Sequence, residues 1–109
     1  MAIPNNGNNN AAGAIPVYLV AAGTPKNITT STTTLVKTGP GSIYGLTVNT
    51  GGTTSTAKLY DGIDATGTLI ATCATTATGA SFTYNIAFAA GLCIVTAGGA
   101  PADVTVSYA

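Results

Sequence analysis

Histidine, arginine, glutamate and tryptophan are absent from the 109 residues, and only six side chains carry charge: Lys26, Lys37, Lys58, Asp61, Asp64 and Asp103. Their sum is zero, so there is no electrostatic footprint for nucleic acid or for an anionic membrane surface. Without His and Glu the usual general bases are missing, and three scattered aspartates do not make a catalytic dyad plus a substrate clamp. The expectation is therefore that the chain is not an enzyme and uses no cofactor. No apolar run approaches the ~20 residues of a membrane span, and no basic segment precedes an apolar stretch at the start, which predicts a soluble chain without an export signal. Cysteine is nearly absent too. Cys73 and Cys93 are too few for a disulfide scaffold and lack metal-ligand spacing. They read as small buried hydrophobes; a bridge between them would need their strands to pair and an oxidising compartment.

What remains is one domain's worth of chain, able to bury about 64% of its extended surface. Hydrophobic residues make up 46% of it, but nineteen are alanine, which predicts a thin core completed by partner surfaces. Threonine is commoner still, at twenty-one, and fourteen glycines punctuate the chain. That composition favours half-buried strands and tight turns over helices. Residues 1–13 hold five Asn, two Gly and a Pro with almost nothing to bury, and read as a flexible arm ahead of a single domain over 14–109.

Along that domain, Ile15–Val20 is an apolar run in which Pro16 confines the strand to an edge or makes Val17 its start. Gly23-Thr24-Pro25 reads as a turn, and the Thr-rich stretch Asn27–Lys37 as one exposed or edge strand. Thr38-Gly39-Pro40-Gly41 is a second turn. Period-two alternation then places Tyr44, Leu46 and Val48 on an inner face, with Ile43, Gly45, Thr47 and Asn49 outside. Gly51-Gly52 suggests a hairpin to Ala57–Tyr60, and Asp61-Gly62 a further turn. Thr68–Ala74 alternates weakly. Phe82, Tyr84, Ile86 and Phe88 alternate strongly and should face inward. Leu92–Val95 is continuously apolar, as for a strand covered on both faces by a loop or another subunit. Val104, Val106 and Tyr108 close the chain. Seven or eight short strands at roughly ten-residue spacing predict an all-β antiparallel sandwich or jelly roll, with an immunoglobulin-like sandwich as the near alternative.

Few residues invite specific chemistry. Asp61-Gly62-Ile63-Asp64 puts two carboxylates beside a glycine but lacks the other acidic positions of a calcium loop, so a plain turn is the simpler reading, and metal chemistry would have to come to this pair. The Thr29–Thr34 cluster does not repeat in the fixed array that ice binding needs. Sugar binding would use an aromatic platform, for which Tyr18 and Tyr60 are the candidates. The lack of self-repulsion suits a protein packed densely beside other subunits, and an unstructured arm can add a strand to a neighbour's edge.

The stretch Leu35–Val48, followed by Ala57-Lys58-Leu59-Tyr60-Asp61-Gly62 and by the closing run Phe88–Tyr108, resembles small virion proteins of tailed bacteriophages. In that group a G-x-L-x-V strand leads to an LYD strand, a GL-x-V-x-T strand and a final VTV-x-Y strand. The resemblance implies a capsid decoration (cement) protein on the outer surface of a virion assembled in the host cytoplasm. Such a protein bridges major capsid protein subunits, commonly as a homo-oligomer, with a trimer favoured. A tail or head fibre module binding host-surface glycans is the alternative. The arm and the edge strands Val17–Val20 and Ile28–Val36 are the expected adhesive elements, and their apolar side chains Ile3, Pro4, Ile15, Val17, Leu19, Ile28 and Leu35 the expected partner interface. Removing residues 2–13 is expected to weaken attachment to shells while leaving the isolated fold intact; a truncated chain that decorates shells as well as the full one ends the arm reading.

Overall fold

The computed structural model of the chain describes residues 23–109. The expectations placed on residues 1–22 lie outside the described residues: the arm, the strand from Val17, Tyr18, and the interface residues Ile3, Pro4, Ile15, Val17 and Leu19. Eight strands follow: β1 (Thr24–Ile28), β2 (Thr33–Thr38), β3 (Gly41–Thr50), β4 (Thr56–Asp61), β5 (Thr68–Ala74), β6 (Ser81–Phe88), β7 (Gly91–Ala97) and β8 (Asp103–Tyr108). They form two four-stranded antiparallel sheets of order β1-β8-β3-β6 and β2-β7-β4-β5. Those two orders are the topology of an eight-stranded jelly roll.

Every strand except β5 lies in the sheet opposite its predecessor, so only β4 and β5 form a hairpin. The Gly51-Gly52 turn is accordingly a crossover and not the expected hairpin, because β3 is already flanked by β8 and β6 and has no edge left for β4. The crossover is pinned to its neighbours. Gly51 N donates to Thr78 Oγ1 at 2.9 Å, Gly52 N to Thr75 O at 3.0 Å, and Thr53 bridges Ala100. A Cβ at position 52 would lie 2.7 Å from Ser55 Oγ and 2.8 Å from Ala102 N, so only glycine lets these backbones approach.

Two expectations near the start change. Thr24 and Pro25 belong to β1, not to a turn; Pro25 is tolerated because, among the described residues, β1 is an edge strand bonded only to β8. The stretch Asn27–Lys37 is two strands in different sheets. Thr96 holds the corner between them: its Oγ1 donates to Thr30 O at 2.6 Å and accepts from Thr32 N at 3.0 Å, while Thr96 N donates to Thr32 O at 2.9 Å.

The core is the thin layer that the composition implies. Ile28, Ile43, Leu46, Val48, Phe88, Val104 and Val106 face Ala57, Leu59, Cys73, Leu92 and Ile94, with Ala102 at the rim. Tyr44 is not part of it. Ile43 is fully buried and Tyr44 is 37% exposed, the reverse of the expected phase. The cause is a register irregularity shared by three strands. Between the same two ladder positions β8 runs from Val106 to Tyr108, β3 from Leu46 back to Ile43, and β6 from Phe82 to Ile86, so each successive strand spends one more residue. Asn85 takes up the surplus on β6 with a positive φ of 52°, and Tyr44 is the residue displaced outward on β3. Gly45 fits here because a Cβ would meet Phe82 O at 2.5 Å.

Of the four β6 side chains expected inside, only Phe88 is fully buried. Phe82 and Tyr84 are half-buried against the core, and Ile86 is 38% exposed, because β6 is the open edge of its sheet. Truncating a central side chain should therefore cost far more than truncating an outward one. Leu59→Ala is expected to lose about 2–5 kcal/mol of unfolding free energy in a urea titration, and Leu69→Ala, on the opposite face of the same sheet, about 0.5 kcal/mol or less.

Candidate interaction surface

Alternation sends every second side chain away from the core, so each sheet has an outer face, and the two faces differ in chemistry. On β1-β8-β3-β6 the ladder aligns Asn27, Thr105, Thr47 and Ser81 in one row. Asp103 Oδ1 accepts from Asn27 Nδ2 at 2.6 Å and from Asn49 Nδ2 at 3.1 Å, and Asn49 Nδ2 also donates to Thr105 Oγ1 at 2.9 Å. These amides, Asn49 first and then Asn27, hold the Asp103 carboxyl below its usual range. Around Asp103 this face is a hydroxyl and amide lattice; toward the far ends of β3 and β6 it carries the exposed side chains of Tyr44 and Ile86.

The β2-β7-β4-β5 face is apolar where the other is polar. Leu35 pairs with Cys93, Cys93 with Tyr60, and Tyr60 with Leu69, so these four side chains form one row across the whole sheet. Leu35 is 47% and Leu69 51% exposed, while Cys93 between them is fully buried and Tyr60 half-buried. The continuously apolar run of β7 is thereby explained. Leu92 and Ile94 face the core, and Cys93 sits on the outside between Leu35 and Tyr60. A parallel row, Thr33, Val95, Lys58 and Thr72, lies one ladder step of two residues further along.

The turn between β4 and β5 borders the other side of the row. Its Ile63 is 59% exposed, and its Asp64 lies close enough to Cys93 that, after burial, the carboxylate charge pushes the thiol up. Leu69 reaches the face through a register shift between Leu59 and Tyr60, which gives β5 one extra residue and leaves Ile70 packed against the core. The same shift explains the weak alternation of Thr68–Ala74.

The two carboxylates of the Asp61–Asp64 segment are committed to backbone. Asp61 accepts from Ala89 N at 3.0 Å and from Ala90 N at 2.8 Å, tying the β6–β7 connection to the end of β4. Asp64 accepts from Thr66 N at 2.8 Å and from the Thr66 hydroxyl. No cluster of three or more metal-ligating side chains and no cleft forms among the described residues.

Of the expected interface residues within the described range, Leu35 lies in the apolar row. Ile28 lies in the core instead of on the surface: the phase of β1 turns it inward, and it is 4% exposed. Tyr60 stands between Cys93 and Leu69 instead of forming a free platform. Cys73 faces the core, where its thiol contacts Ala57 O at 3.6 Å, and burial pushes it up. Cys73 and Cys93 are free thiols: β4 separates their strands, and alternation turns Cys73 inward and Cys93 outward. Leu69 and Ile63 are not marked as surface candidates by the sequence, and Cys93 reads there as a small buried hydrophobe, which its full burial matches, without its place in an outer row being visible. The Leu59-Tyr60 alternation marks β4, but the extra residue on β5 hides Leu69.

Comparison with protein-family models, with curated proteins and with solved structures returned no match.

The hydrogen bonds to Asp61, Asp64 and Asp103 depress all three carboxyls. A depressed folded-state value gives stability that is present above the unfolded value and lost as pH falls through the folded one. Tm is therefore expected to hold from neutral pH down to about 5 and to drop below about 4. Asp61→Asn should flatten that acid limb in a thermal melt series, and an unchanged limb would show that the Ala89 and Ala90 contacts contribute nothing.

Proposed function

We propose that this chain is a non-enzymatic structural protein of a virion shell, a capsid cement or decoration protein of tailed-bacteriophage type that stabilises the head by bridging major capsid protein subunits. The observation that carries the reading is the contrast between the two outer faces of one thin sandwich. An apolar row lies across one sheet with Leu35 and Leu69 exposed at its ends, and a threonine and asparagine lattice occupies the other around Asp103, apart from the exposed Tyr44 and Ile86. A plate with one wettable side and one adhesive side suits a shell surface, where many weak contacts repeated by symmetry add to strong attachment.

Three further features support it. The segments that resemble phage virion proteins, residues 35–48, 57–62 and 88–108, supply the central strands of both sheets and most of the apolar row. Six charges summing to zero remove the repulsion that would oppose close packing of many copies. Edge strands β1, β2, β5 and β6 carry backbone groups to which a neighbour can add a strand. In this reading the chain acts through surface contact, without cofactor and without a reactive side chain.

Quantitative mass spectrometry of purified particles tests it. A shell protein is expected in hundreds of copies per particle, scaling with the major capsid protein. A few copies per particle would assign the chain to a fibre, and none would remove it from the virion.

A further inference from the structure

We infer that the apolar face of β2-β7-β4-β5 binds a second copy of this chain, stacked face to face about a two-fold axis that runs along the row Leu35, Cys93, Tyr60, Leu69. The inference rests on the adhesive reading of that face but not on the identity of the shell; it gives the face to a second copy and leaves the edge strands β1, β2, β5 and β6 for attachment to a shell.

The argument begins with the layout of charge around the row. Lys58 is exposed on one side of it, one ladder step beyond Tyr60, and Asp64 lies on the other side, in the turn that borders Cys93. Rotating a copy by 180° about the row keeps each row residue above its own counterpart and exchanges the two sides. Lys58 of each copy is then carried toward the Asp64 turn of the other, so the patch is complementary to itself. A relation that keeps the two sides in place would set lysine over lysine. Closed two-fold contacts of this self-complementary kind are the commonest form of homo-oligomer.

Composition removes the usual obstacle, since copies of zero net charge meet without long-range repulsion. Leu35 and Leu69, half exposed at the two ends of the row, are the apolar surface that the contact would withdraw from water. Four strands about 4.8 Å apart, each about six residues long at about 3.4 Å per residue, make a face of about 400 Å² per copy, about half the area per partner of a standard stable interface. The dimer is therefore weak in dilute solution and is favoured where the local concentration of copies is high. The contact is isologous, so the assembly unit is even-numbered and not the trimer that the resemblance implies.

The test is sedimentation of the full-length protein across a concentration series. The wild-type chain is expected to shift from monomer to dimer with rising concentration. Leu69→Lys should raise the dissociation constant about tenfold or more, and Thr83→Lys, on the polar face, should leave it unchanged, with circular dichroism showing all variants folded. Lys58→Asp and Asp64→Lys should each weaken association, and the double variant should recover it, which a general loss of folding would not do. Leu69→Cys, placed over its own counterpart, should oxidise to a covalent dimer. A wild-type chain that stays monomeric at millimolar concentration, or a Leu69→Lys variant that dimerises as the wild type does, overturns the inference. A dimer in solution with no copies in particles would instead leave this contact standing and remove the shell role.

Discussion

Stability in this molecule depends on one apolar layer shared by two sheets. Leu59, Leu92 and Ile94 on one side meet Ile43, Leu46, Val48, Val104 and Val106 on the other, all essentially inaccessible to water. Six charged residues and an alanine-rich hydrophobic share leave little else with which to offset the entropy of ordering the chain. The remaining polar side chains therefore serve the connections. Thr96 holds the β1–β2 corner, Thr78 the β3–β4 crossover, and Asp61 the β6–β7 connection. A jelly roll changes sheet at six of its seven connections, and each change needs its backbone groups satisfied away from the ladders.

Using up the large apolar residues in that layer explains why the outer faces matter. With most threonines free to cover surface, any exposed leucine or isoleucine stands out. Leu35 and Leu69 stand exposed at the two ends of a row whose middle is withdrawn from water, Cys93 fully and Tyr60 in part. The opposite face spends its Asn27, Asn49, Asp103 and Thr105 on one another. The asymmetry follows from which residues alternate with the core positions. It costs the fold nothing, because it uses only outward-pointing side chains.

The strand content was legible in the sequence because alternation and glycine punctuation are local signals; Leu46, Val48, Val104 and Val106 could be placed inside from spacing alone. The phase errors share one cause. Tyr44 and Ile43 exchange faces, and Leu69 escapes notice, because β3, β5 and β6 each carry an extra residue, and a bulge depends on the partner strand as much as on its own sequence. Crossovers failed for a related reason. Gly51-Gly52 has hairpin chemistry, yet both edges of β3 are taken by strands that come much later in the chain, β6 and β8. Leu35 was found as a surface candidate because its Thr-rich strand had nothing else to expose, whereas Ile28 was misplaced because the corner after it, held by Thr96, could not be read from a run of threonines.

The bulges that hid these residues also shape the outer face of β2-β7-β4-β5. Without the extra residue on β5, the ladder beyond Leu59 would pair Tyr60 with Ile70, and Leu69 would turn toward the core. The row would then end in a β-branched side chain that now fills the sandwich edge. The shift frees Leu69 to extend the line of Leu35, Cys93 and Tyr60 to the sheet's last strand, while Ile70 and Ala71 keep the inner layer closed. One inserted residue thus lets a thin core and a continuous outer row coexist on the same strand. The irregularity is better understood as part of the surface's construction than as a defect in the sheet.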